Sequence, residues 1–307
     1  MLLVSAKEIL EKAKREHYAV GAFNINNMEI LQGIMNACKK TSSPAIIGVS
    51  EGAISYAGFN FIILMVKTST DENGLPVALH LDHGKNIDTI AKCINGGFTS
   101  VMIDGSHLNF EENIKITKEV VQIAKPRGIS VEGELGRLIG VEDMVSVDEK
   151  EAILTDPEAA EEFVEKTGVD SLAIAIGTSH GAYKFKGEPK IDIERLKQIK
   201  AKVDIPLVLH GASSVPAWVL ERATKHGAKL SGAKGVPEEA IKESIKYGIC
   251  KVNIDTDIRL ALVGAIREVF DEKPEEFDPR KYLGPGREAI EKIVLEKIDL
   301  LGSSSKV

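Results

Sequence analysis

The stretch "VALHLDHG", residues 77–84, decides how the chain is read. It opens as a buried strand does, on Val77, Ala78 and Leu79, and then carries His80, Asp82 and His83. Burying such groups is costly unless they are partnered or used. An apolar run that finishes in imidazoles and a carboxylate is what a strand looks like when its C-terminal end faces a reaction chamber.

The same pattern recurs along the chain. Eight Val/Ile/Ala-rich runs stand out: "AVGAFNI" (19–25), "PAIIGVS" (44–50), "VALHLDH" (77–83), "SVMIDGS" (100–106), "SVEGELG" (130–136), "SLAIAIG" (171–177), "PLVLHG" (206–211) and "CKVNID" (250–255). Amphipathic segments such as "MEILQGIMNACKKT" and "NIDTIAKCINGG" separate them, several closed by glycine. Eight β–α pairs in 307 residues predict an α/β chain folded as one (β/α)₈ barrel domain, residues 1–307, with a C-terminal helical extension. The active site of such a barrel lies at the C-terminal strand ends. Here those ends hold Asn24, Ser50, Asp82, His83, Asp104, Glu132, Glu134, His180, His210, Asn253 and Asp255. Two longer gaps, "GRLIGVEDMVSVDEKEA" and "HGAKLSGAKGVPEEA", mix glycine with charge and are expected to be βα loops acting as lids.

Bulk properties narrow the function. The longest strongly apolar run, "FIILMV", is far too short to span a bilayer. The first residues read as an amphipathic helix rather than a secretory signal. Cys38, Cys93 and Cys250 are widely spaced and form no CxxC, which argues against a disulfide framework and a thiolate zinc site. A cytoplasmic protein is the expectation. A net charge of −7 argues against nucleic acid and anionic membranes as partners. An anionic substrate would need a local positive field.

His83, His180 and His210 end the third, sixth and seventh runs. Three neutral imidazoles at one barrel mouth suit a divalent metal with coordination positions left for substrate. His80 reads as a hydrogen-bonded residue of the barrel wall, and His17, His107 and His226 as solvated. Asp82 either orients a ligand or moves protons. Asp104 and Glu134 offer an alternative or second metal position. Against that, Asp104 would also serve to start a helix, and Glu132 or Glu134 to pair with a lysine. The turns "GTSHG" (177–181), "HGASS" (210–214) and "NIDTD" (253–257) combine small and hydroxylic residues at strand ends, as phosphate sites do. Lys184, Arg259 and Arg280 are candidate full charges beside them. A Schiff-base mechanism would need a lysine at the mouth, and Lys251 is expected at the other end of its strand. No Ser/His/Asp signature or P-loop is present.

At this point the chain resembles the class II, metal-dependent fructose-1,6-bisphosphate aldolases. The resemblance runs in order through "GAFN", "SEGAISYAG", "HLDHG", "SVMIDGS", "ELGRLIGVED", "AIGTSHGAYKFKGEP", "LVLHGASS", "KVNIDTDIRLA" and "DPRKYLGP" and covers nearly the whole chain. The "GTSHGAYKF" and "DPRKYLGP" segments look like the class IIB subgroup. Gly133 is one small departure, standing where alanine is common. The resemblance implies reversible cleavage of fructose 1,6-bisphosphate to dihydroxyacetone phosphate and glyceraldehyde 3-phosphate, with Zn²⁺ stabilising the enediolate. It also leaves room for a second divalent or a monovalent cation, and it implies a homodimer or homotetramer. It carries zinc ligation onto His83, His180 and His210, a second metal position onto Asp104 and Glu134, acid/base chemistry onto Asp82, and a lid carboxylate onto Glu142. Ketone-phosphate contacts map onto Gly181, Lys184, Gly211, Ser213, Asn253 and Thr256. Contacts to the aldehyde half map onto Asn24, Ser50, Asp255 and Arg259, with Arg280 reaching over from a neighbouring subunit. The nearest rival is a tagatose-1,6-bisphosphate aldolase of the same chemistry. A metal-dependent hydrolase and a non-enzymatic sugar-phosphate binder are the others.

Overall fold

The computed structural model describes residues 3–137, 139–142, 145–147, 153–180, 191–230 and 235–307. In chain order the strands are β1 (Val20–Asn24), β2 (Ala45–Ser50), β3 (Val77–Gly84), β4 (Ser100–Ile103), β5 (Ser130–Leu135), β6 (Ile139–Glu142), β7 (Val145–Val147), β8 (Ser171–Ile174), β9 (Ser179–His180), β10 (Leu207–Leu209) and β11 (Ile249–Ile254). The helices are α1 (Ala6–Glu16), α2 (Met28–Thr41), α3 (Glu51–Ala57), α4 (Phe59–Asn73), α5 (Ile87–Gly96) and α6 (Phe110–Ala124). They continue with α7 (Pro157–Thr167), α8 (Ile193–Lys202), α9 (Ala217–Lys225), α10 (Glu238–Lys246), α11 (Thr256–Glu272) and α12 (Pro279–Leu301).

Eight parallel strands, β1, β2, β3, β4, β5, β8, β10 and β11, close in that order into a barrel. They are the eight runs expected from the sequence. The helices begin where polar caps stand. Asn27, Asn86, Asn109 and Asp156 accept from the backbone N–H of Ile30, Thr89, Glu112 and Ala159. The core lies between the barrel wall and the helices, and includes Ile47, Leu79, Leu81, Val101, Leu172 and Val252, all buried. A second cluster lies where α1 meets the sheet, with Ile9, Leu10, Ala13 and Tyr18 against Val20, Ile46, Ala78 and Cys250. The three cysteines are free and buried. Among the described residues no helix is long and apolar enough to cross a membrane.

Two departures from regularity shape the mouth. The first is in β3, where Leu81 pairs with Val101 but Gly84 pairs with Ile103, so Asp82 and His83 together oppose Met102. This is a β-bulge. His83 adopts φ 50, left-handed for a non-glycine residue. Gly84 fits because a Cβ there would meet the Met102 carbonyl oxygen at 2.7 Å. In a regular strand, adjacent residues point to opposite faces. The bulge removes that constraint on Asp82 and His83.

The second departure is a small sheet of order β7-β6-β9 outside the barrel ladder. The gap expected as a lid therefore contains a hairpin, in which Glu142 pairs with Val145. Its β6 strand also runs parallel to β9, with Gly140 opposite His180. The lid strand and the histidine-bearing strand share one ladder.

Candidate active site

Several contacts join strands that are not neighbours in the barrel, so they cross its interior. Asn24 on β1 donates from Nδ2 to Asp82 Oδ2 at 2.8 Å, and Asn253 on β11 donates to Asp82 Oδ1 at 2.9 Å. Both oxygens of Asp82 are thus held, and all three residues are buried. The sequence reading gave Asn24 and Asn253 to substrate. The structure shows them holding the Asp82 carboxylate.

Beyond Asp82 two imidazoles face each other. His83 Nε2 and His210 Nδ1 are 3.0 Å apart, and the rings meet nearly edge-on at 83°. The outer nitrogen of each is turned to a carboxylate. His83 Nδ1 is 2.9 Å from Asp104 Oδ2, and His210 Nε2 is 2.8 Å from Glu132 Oε1. Burial pushes the Asp104 carboxyl up, but hydrogen bonds from His83 and Ser106 outweigh it and hold the group below the usual carboxylate range. Glu132 behaves likewise: burial raises it, while the charge of Lys251 and the hydrogen bond from His210 bring it well below the ordinary value. Burial also lowers His210. Ionised carboxylates can only accept hydrogen bonds. Each therefore accepts from the ring nitrogen it faces, so the inner nitrogen of each ring is the one available to a cation. Two such nitrogens directed at one point are a donor set for a cation.

Two groups among the described residues have metal-holding geometry: Asp82, His83 and His210, and His83, Asp104 and Glu134, with ligand atoms within 4.8 Å of one another in each. Glu134 Oε2 lies 3.7 Å from His83 Nδ1. His180 is placed by its backbone pairing with Gly140, and Glu142 by its pairing with Val145. Gly181 and Lys184 lie outside the described residues.

The floor beneath this pair differs from the expectation. Glu132 is not at a strand end but within β5, and Lys251 lies inside the barrel rather than at its lower opening. Lys251 Nζ donates to Glu132 Oε2 at 2.8 Å and Oε1 at 3.0 Å, and lies 3.3 Å from His80 Nε2. His80 Nδ1 is 2.8 Å from Ser100 Oγ. Burial, then the Lys251 charge, push the His80 imidazole down to about 3, so it is neutral. A lysine locked this way is not a free amine for a Schiff base. The sequence offered a lysine partner for Glu132 or Glu134 as the plain alternative to metal binding, and for Glu132 that alternative is what the structure shows.

Around the rim, Ser50 Oγ accepts from Ala53 N–H as the cap of α3. Asp255 precedes α11 without capping it, and instead accepts from Arg259 Nε at 2.7 Å. The expected acid–guanidinium pair is present. Gly211 has φ 61 and Ser213 is buried in the turn that follows β10. Thr256 opens α11. Arg280 is not brought to this mouth by its own chain. It is 87% exposed at the start of α12, paired with Asp278. It lines a surface cavity with Met28, Gln32 and Arg287. His226, expected to be solvated, is buried and 2.8 Å from Asp271 Oδ2.

Comparison with known proteins agrees with this geometry. A family model described as fructose-bisphosphate aldolase class-II matches residues 4–306. The fructose-bisphosphate aldolase of Thermus caldophilus is 52% identical over 98% of this chain and 99% of its own length. That of Helicobacter pylori is 51% identical over 100% of both. Among solved structures, the YdjI aldolase of Escherichia coli K12 superposes with a TM-score of 0.80 at 33% identity, covering 99% of each chain.

Proposed function

The chain belongs to the class II fructose-bisphosphate aldolase family, and from that premise we propose how its barrel mouth carries out the reaction. The enzyme is a lyase that reversibly cleaves D-fructose 1,6-bisphosphate to dihydroxyacetone phosphate and D-glyceraldehyde 3-phosphate. The family is metal-dependent, and the residues fit a metal. The observation that carries this is the facing pair of inner ring nitrogens, His83 Nε2 and His210 Nδ1, with a carboxylate behind each ring.

In our reading the ion is Zn²⁺, held by His83, His210 and His180, with Asp104 and Glu134 providing a second cation position. Such an ion supplies Lewis-acid stabilisation of the charge that develops at the ketone oxygen as C3–C4 breaks. The chain's own groups do the rest. Asp82, oriented by Asn24 and Asn253, takes the C4 hydroxyl proton in cleavage and returns it to the aldehyde oxygen in synthesis. Glu142, on the hairpin, handles the proton at C3. The turns containing Gly181, Lys184, Gly211, Ser213, Asn253 and Thr256 hold the ketone phosphate, which fixes the reacting carbons relative to Asp82. Asn24, Ser50, Asp255 and Arg259 hold the aldehyde half. A homodimer or homotetramer would let the outward-facing Arg280 serve a neighbour's mouth. Three free cysteines suit the cytoplasm.

Exhaustive chelation should abolish cleavage and Zn²⁺ should restore it, with no borohydride trapping of substrate on lysine. Full activity in metal-free protein would overturn the reading.

A further inference from the structure

The turn after β10, "GASSV" at 211–215, is under unusual constraint. Val215 has φ 42, a left-handed conformation, although it is β-branched and precedes a proline. Something outside the turn must hold it there. The Val215 N–H donates to Asp257 Oδ1 at 2.7 Å. Asp257 Oδ2 lies 3.0 Å from Lys297 Nζ on α12, with side-chain exposures of 0% and 2%. The same ammonium donates to Ser214 Oγ. From the other side, Val236 N–H donates to Ser213 O at 3.0 Å. The turn is therefore clamped at three successive residues, twice by one buried ion pair.

A buried ion pair is a poor choice for stability alone, since apolar residues of similar volume often do as well or better. What a carboxylate adds here is a strong acceptor for one strained backbone N–H. We propose that Asp257, anchored by Lys297, is a positioning residue for the phosphate-holding turn. The last long helix of the chain thereby sets the affinity for the ketone phosphate. This rests on the reading above that the turn with Gly211 and Ser213 binds that phosphate. Neither Asp257 nor Lys297 is given a contact with substrate.

The test compares two charge-free double variants. Asp257→Asn/Lys297→Met keeps an oxygen that accepts from Val215 N–H, whereas Asp257→Leu/Lys297→Met has none. Asp257→Ala/Lys297→Met makes the same comparison should leucine not fit. The probes are inorganic phosphate as a competitive inhibitor and fructose 1,6-bisphosphate as substrate, on the metal-loaded enzyme, with bound metal measured. Loss of the acceptor should raise the phosphate inhibition constant and KM about tenfold, as expected for a lost hydrogen bond to a charged group. kcat should change much less and metal content not at all. The asparagine double variant, which keeps the acceptor for Val215 N–H but loses the lysine's hold on residue 257 and Ser214, should fall between wild type and the acceptor-free variants. Equal phosphate inhibition in the two double variants would show the pair to be packing alone. Ser213→Ala separates the underlying reading. If it weakens phosphate inhibition while the acceptor-free variant does not, only the positioning role falls. If Ser213→Ala changes nothing, the phosphate reading of the turn falls, and the positioning role with it.

Discussion

Glu132 Oε1 lies 2.8 Å from His210 Nε2, and the same carboxylate is held by Lys251 Nζ. The lysine's charge keeps Glu132 ionised in a site where burial alone would protonate it. A protonated Glu132 could donate instead of accept, and the His210 proton would then move to Nδ1, the nitrogen facing His83. The tautomer at the barrel mouth is thus set one layer below it.

Lys251→Met should for this reason weaken metal retention. Outer-shell partners of metal ligands typically contribute about 10–100-fold in affinity. Competition between the variant and a chelator would read it directly. Unchanged affinity would mean that Glu132 holds His210 without help. Lowered global stability is expected as well, because breaking a buried pair costs roughly 3–5 kcal/mol. Denaturant unfolding of metal-free protein separates the two effects.

Asp82→Ala should retain metal and lose most turnover. Neither imidazole of the facing pair uses Asp82 to fix its outer nitrogen. General acid/base roles are worth about 10²–10⁴-fold. Metal analysis beside steady-state cleavage checks both halves. Loss of the metal in this variant would make Asp82 a ligand and remove its assigned role.

Glu142→Ala should slow exchange of the C3 proton of dihydroxyacetone phosphate with solvent while leaving binding of that ketone nearly intact. The residue sits on the hairpin strand that shares a ladder with Ser179 and His180. Exchange of labelled substrate measured by NMR tests it, and an unchanged rate would move the task to another group.

Fructose and tagatose 1,6-bisphosphates differ in configuration at C4, the carbon whose hydroxyl is assigned to Asp82 in the proposed mechanism. Asp255 and Arg259 are joined at 2.7 Å, so they can meet the C4–C6 end as one unit. The wild-type enzyme should prefer the fructose substrate, and Asp255→Ala should narrow that preference. Comparable kcat/KM values for both sugars in wild-type enzyme would remove specificity from this pair and leave the metal chemistry untouched.

The barrel was legible because each strand is an apolar run with a polar end, separated by amphipathic helices. The facing of single residues was less so. Barrel strands are buried on both sides, and so carry no polar–apolar alternation to say whether Glu132 or Lys251 points inward. Only the closed order of strands brings β5 and β11 across from each other. The donors to Asp82 were found as residues but given another task, since Asn24 and Asn253 come from opposite ends of the chain. Nothing in the sequence joins Asp257 on α11 to Lys297 on α12, and their burial follows from how those two helices pack. His226 reads in sequence as solvated because its partner Asp271 lies 45 residues away, on α11.

The bulge in β3 gives the strand one residue more than its partner needs. Deleting either Asp82 or His83 would restore even pairing with β4 and relieve the left-handed backbone, a strain of about 1–3 kcal/mol. The most comfortable version of this sheet is therefore a shorter one that lacks either Asp82 or His83. The barrel ladder and the proposed reaction ask for different lengths of the same strand, and the sequence keeps the longer.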